Sequence, residues 1–437
     1  MSAAAPATRG QVLAWGLWDW GSAAYNTVIL TFVFSVYLTD TVGDDLPGGV
    51  SANSWLAWSI GLAGLVLALL APVLGARADA AGRRRRAVGV WTAATIATMA
   101  GLVAVRDDYR YLALGLVLLG LGSIFFELAS VSYNAVLRQV STPATMGRVS
   151  GFGWAMGYFG GIVLLLGVYL GFIAGDGPLR GLLGVPAADG WNIRLVALVA
   201  AAWFAVFAVP MLVAVPETPP SPGRRPAAGI AASYRALLHD LRVLYRVDRH
   251  TVWFLGASAL FRDGLAAVFT FGAVLAVTVY GIGQGDVLVF GVVANVVSAV
   301  GALTAGRIDD RVGPKSVIVG SLVGMIACAV VLLFVSGPAA FWVFGLGLCL
   351  FVGPAQSSSR TYLCRLAPPG REGEMFGLYA TTGRAVSFLA PTLVGVFTYA
   401  FGSDRAGIVG IIVVLAAGLA ALWPVRPPVD TAATASG

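Results

Sequence analysis

The chain is laid out as long apolar runs separated by short polar connections. Twelve runs reach the roughly 20 residues that a helix needs to cross a bilayer. They cover residues 12–39, 53–76, 87–105, 111–137, 149–174, 191–215, 251–280, 286–306, 316–336, 339–363, 374–402 and 405–425. Helices in lipid are apolar nearly all round, so periodicity does not refine these bounds. A membrane β-barrel does not fit: the runs are too long, rich in Gly, Ala and Leu, and lack period-two alternation. The one long polar stretch opens with Pro216, Pro219, Pro220, Pro222 and Pro226 and becomes helix-compatible from Ala227 to Val247. It divides six runs from six. The expected fold is therefore an all-α membrane protein of twelve transmembrane helices in two pseudo-symmetric six-helix bundles, residues 1–215 and 251–437, joined by a cytoplasmic linker, residues 216–250.

Composition agrees and narrows the class. Of 437 residues, 58% are hydrophobic and 11% charged, against about 25% charged in soluble domains, and the mean hydropathy is +0.84. The net charge of +7 would suggest nucleic acid in a soluble domain, but here position explains it. Twenty Arg and Lys fall on the side that carries the linker and both termini, and five on the other. Basic residues gather in cytoplasmic loops, so both termini and the linker are expected in the cytoplasm and the protein in a plasma (inner) membrane, with the bilayer and not nucleic acid as its partner. Cys328, Cys349 and Cys364 sit in or beside apolar runs, and His239 and His250 in the linker, without metal-ligand spacing. No cofactor or metal is expected. The first apolar run is too long for the core of a signal peptide.

The sequence repeats itself. After run 2 stands Gly75-Ala-Arg-Ala-Asp79-Ala-Ala-Gly82-Arg83-Arg84; after run 8 stands Gly306-Arg-Ile-Asp-Asp310-Arg-Val-Gly313-Pro-Lys315, displaced by 231 positions. Pro143, Gly151 and Gly157 match Pro369, Gly377 and Gly383, each displaced by 226. Two halves in the same orientation, with matched loops on one side, fit parallel repeats about an axis along the membrane normal. The loop resembles the signature of the major facilitator superfamily, a resemblance that covers all twelve runs and implies a transporter. Its carboxylates, Asp79 and Asp310, can pair with arginines of a neighbouring loop or face a helix N-terminus, forming a latch with Arg83 and Arg148. The bland reading, that the arginines only set topology, suits Arg84, Arg85 and Arg86. The second copy has Pro314 where Arg83 stands, so its latch is expected to be the weaker.

A narrower resemblance rests on three stretches. Run 1 carries Trp18-Asp19-Trp20-Gly21-Ser22 and Tyr25-Asn26-Thr27; runs 4 and 5 carry Tyr133-Asn134-Ala135 and Gly147-Arg148-Val149-Ser150-Gly151-Phe152-Gly153-Trp154; runs 10 and 11 carry Ser359-Arg360, Phe376-Gly377-Leu378-Tyr379 and Gly383-Arg384. Together they resemble the vacuole-effluxer-like branch of the superfamily, the autophagy-related amino-acid exporters of fungi and their bacterial relatives. That resemblance implies an amino acid as substrate.

Charges inside a span are costly and are functional candidates by default. There are six: Asp19, Glu127, Arg262, Asp263, Arg360 and Arg384. Glu127, Arg262 and Arg384 each lie about 11 residues, or roughly 16 Å, inside their runs, near the middle of the bilayer. Three charges from three runs at one depth suggest a central polar cavity; a structural ion-pair network is the plain alternative. Tyr25 and Asn26 add hydrogen-bonding groups near Asp19, Arg360 suits a gate, and Trp18 and Trp20 read most simply as an interfacial belt. Gly153, Gly157, Gly160 and Gly161 mark close helix packing; no phosphate-binding loop is present. The reading is a monomeric secondary transporter, not an enzyme, moving a small polar or zwitterionic metabolite such as an amino acid by alternating access. Proton coupling is plausible through Asp19, Glu127 or Asp263. Efflux of drugs or other amphipathic compounds is the alternative within transport; a lipid-moving or non-transport membrane protein is the alternative outside it.

Overall fold

The computed structural model describes residues 7–217 and 230–426. Among the described residues, twelve helices are long and apolar enough to cross a membrane: span 1, Arg9–Asp40; span 2, Ala52–Ala81; span 3, Arg84–Ala104; span 4, Tyr109–Ala135; span 5, Met146–Ile173; span 6, Ala188–Ala214; span 7, Arg249–Thr278; span 8, Val289–Val312; span 9, Pro314–Phe334; span 10, Pro338–Leu366; span 11, Glu372–Phe401; and span 12, Asp404–Leu422. The protein is a multi-pass integral membrane protein. A further helix, Ile230–Val247, forms the second part of the linker; Pro219, Pro220, Pro222 and Pro226 lie outside the described residues.

The repeat is visible in the packing. Span 1 lies against spans 5 and 6, span 2 against span 4 and span 3 against span 4; span 7 likewise lies against 11 and 12, span 8 against 10 and span 9 against 10. The two bundles meet along span 2 with span 11 and span 5 with span 8. Small residues permit both contacts. A Cβ at Gly377 would stand 2.5 Å from the Ala71 carbonyl oxygen, and one at Gly151 2.3 Å from that of Ala302. Gly151 and Gly377 are one matched pair, and Ala71 and Ala302 are equivalent under the 231-residue displacement, so a single motif builds both contacts. Within the N-terminal bundle the span 5 glycines also pack as expected: a Cβ at Gly160 would meet the Trp20 carbonyl oxygen at 2.3 Å.

Two spans are not the continuous helices that hydropathy predicts. Span 1 is α-helical to Ala23, widens to a π-helix over Ala24–Phe32 and resumes over Phe34–Asp40. Span 11 breaks between Val386 and Leu389. Pro391 lies in the first turn of its second piece, where a proline has no N–H to lose but crowds the carbonyl four residues back. The Asp263 carboxylate accepts the Ala390 N–H there at 2.7 Å. The connection before span 6 also holds a two-residue hairpin, Leu179 opposite Pro186 and Arg180 opposite Val185.

Candidate functional site: two locks beneath a central cavity

On the linker side the two bundles are joined by two related clusters of hydrogen bonds and ion pairs, called locks below for their geometry. At the span 2–span 11 contact, Asp79 accepts the backbone N–H groups of Gly373 at 3.1 Å and Glu374 at 2.9 Å, at the positive end of span 11. Arg84 donates to Asp79 at 2.6 Å and to Glu372, and Arg138 reaches Glu372 at 3.0 Å. The side chains of Asp79, Arg84 and Glu372 are at most 4% exposed. At the span 5–span 8 contact, Asp310 accepts the N–H groups of Gly147 at 2.7 Å and Arg148 at 3.2 Å, and the Arg148 guanidinium at 2.9 Å. Arg365 pairs with the neighbouring Asp309 at 3.3 Å.

One residue of the expected latch must be corrected. Arg83 is exposed and joins no ion pair among the described residues. It stands at the start of span 3 in a non-helical conformation, which turns Arg84, the next residue, inward. The cluster is built on Arg84, for which the sequence favours a topology role.

Above the locks a 340 Å³ cavity separates the bundles, lined by Asp19, Asn26, Glu127 and Asn134 from one half and Arg262, Asn295, Gln356 and Arg360 from the other. At the level of the cavity, among the described residues, two further ion pairs cross between the halves. Arg360 of span 10 enters the N-terminal bundle: it donates to the Ser150 hydroxyl at 3.0 Å, the Ser150 carbonyl at 2.6 Å, the Asn134 side chain at 3.1 Å and Asp19 at 3.4 Å. The Tyr133 hydroxyl donates to the same Asp19 oxygen at 2.7 Å, and the guanidinium lies 4.9 Å from the Trp15 ring centre. Higher up, Arg384 of span 11 meets Glu127 of span 4 at 2.5 Å, both side chains about one-third exposed. Arg262 differs: it donates to the Tyr379 carbonyl at 3.0 Å and covers that ring at 3.7 Å, but has no acidic partner among the described residues.

The structure thus brings Asp19, Asn26, Glu127, Arg262 and Arg360 to one cavity and Arg384 to its edge through Glu127. It takes two expected residues elsewhere. Tyr25 is 1% exposed, its hydroxyl 2.8 Å from the Leu119 carbonyl and 2.9 Å from Ser123, because the helix turns it towards span 4. Asp263 serves the break in span 11. Nor is Trp18 a belt residue: it is buried against Tyr133 with ring centres 4.2 Å apart, and donates to Thr92 at 3.0 Å. Trp154, at the end of the Gly147–Trp154 stretch that shares the family resemblance, also lines the cavity, as do Asn295, Gln356 and Tyr158, which carry no sequence signal that separates them from ordinary span residues.

Two six-helix bundles meeting around a central polar cavity constitute the major facilitator fold. Solved transporters of that fold superpose on nearly the whole chain: the proton:xylose symporter XylE with a TM-score of 0.72 at 14% identity, covering 96% of each chain, and the human organic anion transporter MFSD10 with 0.70 at 15%, covering 95% of this chain and 99% of that one. A "Vacuole effluxer Atg22 like" family model matches residues 39–431. An uncharacterized MFS-type transporter of Bacillus subtilis, YxiO, is 26% identical over 94% of this chain and 93% of its own. Autophagy-related protein 22-1 of Aspergillus fumigatus is 26% identical over 61% of this chain but only 46% of its own length, so the match spans about half of the fungal relative. The protein is an MFS-type transporter, and it belongs to the vacuole effluxer Atg22-like family.

Proposed function

We propose that the protein is a secondary transporter for a small zwitterionic metabolite, an amino acid being the best fit, and that it works by alternating access. The observation that carries this reading is Arg262. It is a cavity-facing guanidinium with no acid of its own among the described residues, in the same small space as the carboxylates Asp19 and Glu127. A substrate carboxylate satisfies Arg262 from the C-terminal half, while a substrate ammonium competes with Arg384 for Glu127 in the other half. Charge-assisted hydrogen bonds contribute roughly 1.5–3 kcal/mol each, so the two ends of a zwitterion supply the energy to exchange protein pairs for substrate pairs. The family's description as a vacuole effluxer supports transport out of a compartment.

In this cycle the closed linker side is one end state. The Asp79 and Asp310 locks hold it shut, and Asp19–Arg360, below the substrate, ties the halves together as a gate. Protonation of Asp19 or Glu127 would release Arg360 or Arg384, which is how a proton gradient would couple to the motion. With twenty basic residues on the linker side against five opposite, that side is assigned to the cytoplasm of a plasma (inner) membrane.

A second reading, efflux of amphipathic compounds, draws on the aromatic lining of Trp18, Phe126, Trp154, Phe376 and Tyr379. The volume argues against it, since 340 Å³ is at the low end of the roughly 300–1,000 Å³ of ligand pockets. Proteoliposomes offered a panel of radiolabelled amino acids, beside a dye-efflux assay, separate the two. Amino-acid flux without dye efflux supports the first reading; dye efflux alone overturns it.

A further inference from the structure

The linker helix carries three arginines that no acidic side chain among the described residues answers. Arg235, Arg242 and Arg246 are exposed, and none joins an ion pair among the described residues. At 3.6 residues per turn they fall within an arc of about 40°. The helix has a single carboxylate, Asp240, which lies outside that arc and is engaged with Arg371 at 2.9 Å.

The opposite face is anchored. Leu237 and Leu244 are buried and Leu241 packs beside them, while the Tyr234 hydroxyl donates to the Leu69 carbonyl. Leu69 lies twelve residues inside span 2 from Ala81, and its side chain is 54% exposed. Asp240 meets Arg371, the residue before span 11, at 2.9 Å, so the helix lies against the linker-side end of the bundles, the end nearest the lipid headgroups. Between the buried leucines and the arginines, the helical wheel places Leu238 and Tyr245, both about half exposed at 50% and 53%. An apolar strip beside a basic one is the pattern of a helix seated in the membrane interface.

We propose that this helix binds anionic phospholipid on the linker side, with Leu238 and Tyr245 entering the acyl boundary and Arg235, Arg242 and Arg246 holding headgroup phosphates. Juxtamembrane arginines each favour an anionic over a neutral surface by roughly fivefold, so three together favour it by about a hundredfold. The bound helix also has a route to the first lock. Asp240 holds Arg371, which pairs with Glu374 at 2.7 Å, and the Glu374 N–H is one of the two that Asp79 accepts. Lipid charge thereby biases how firmly span 11 is held.

The test is hydrogen exchange of the amides of residues 230–247 in the full-length protein, reconstituted in nanodiscs of phosphatidylcholine alone or with a third phosphatidylglycerol. The expected result is exchange slowed about tenfold or more by the anionic lipid. That slowing is lost in the triple variant Arg235→Gln, Arg242→Gln, Arg246→Gln and reduced in Leu238→Ser. Matching exchange of the triple variant and the parent in neutral nanodiscs shows that the helix still folds; faster exchange there means that the arginines serve the helix itself and overturns the assignment. Equal exchange in both lipids, or a lipid effect that survives the triple substitution, overturns the proposal. So does equal slowing by inorganic phosphate added to neutral nanodiscs, which would assign the arginines to a soluble anion.

Discussion

At the span 2–span 11 contact a carboxylate, a guanidinium and a second carboxylate are sealed from solvent, Asp79 and Arg84 with partners in both halves of the chain and Glu372 held by Arg84 and Arg138 of the N-terminal half. At the span 5–span 8 contact the same geometry recurs, with Asp310 capping span 5 as Asp79 caps span 11, but the arginine that serves it, Arg148, is 55% exposed. The equivalent of Arg84 in the second repeat is Lys315, which points away and donates to the carbonyls of Trp423 and Val425 at 2.8 and 2.5 Å. The two locks share a plan and differ in solvent access. Removing one partner of a buried pair costs about 3–5 kcal/mol, whereas an exposed pair contributes about 0–1 kcal/mol. The first lock should therefore dominate the closed state, and the second should contribute mainly through its backbone hydrogen bonds.

The largest expected effect follows from cutting the first lock. Asp79→Asn should shift the equilibrium away from linker-side closure by about 3 kcal/mol, roughly a hundredfold. Thr381, which donates to the Ala68 carbonyl across the same contact at 2.8 Å, reports it: a Thr381→Cys probe, with the native cysteines replaced, should label much faster from the linker side in the Asp79→Asn background. Unchanged labelling would mean that this lock does not hold the state. Arg384→Ala comes next. It removes the competitor for Glu127 and should tighten binding of a substrate that carries an ammonium about tenfold, and of a deaminated analogue much less, with the purified variant still folded. Low membrane yield and poor thermal stability would instead give Arg384 the purely structural task of neutralising Glu127.

Smaller effects sharpen the contrast. Asp310→Asn should open the linker side only about fivefold, near 1 kcal/mol, because water screens Arg148; an effect equal to that of Asp79→Asn would erase the distinction between the locks. Tyr25→Phe should leave substrate selectivity unchanged and lower stability by about 1 kcal/mol, the worth of one buried hydrogen bond. A changed substrate profile in that variant would restore Tyr25 to the site.

Much of this was readable before the structure. The spans follow from hydrophobic length, the halves from the displaced glycines, and the first lock from Asp79 beside a glycine turn. Intramembrane charge singled out Asp19, Glu127, Arg262, Arg360 and Arg384, which lie in or beside the cavity, because burying charge without a partner is expensive. What escaped was direction. A span that is apolar all round has no polar face to show which way a side chain points, so Tyr25 could not be separated from Asn26, nor Arg83 from Arg84. Neutral lining residues such as Asn295 and Gln356 raise no comparable cost. Asp263 looked like its neighbour Arg262, and only the break at Pro391 explains its position.

The central claim is that opposite ends of one zwitterion are recognised by opposite halves of the protein, and equilibrium binding tests it most directly. The measurement compares a transported amino acid, its carboxamide and its deaminated acid across the parent, Arg262→Gln and Glu127→Gln. Arg262→Gln should abolish the preference for the zwitterion over the carboxamide while leaving the preference over the deaminated acid. Glu127→Gln should do the reverse. A parent protein that binds all three ligands alike, or variants that lose both preferences together, would contradict the account.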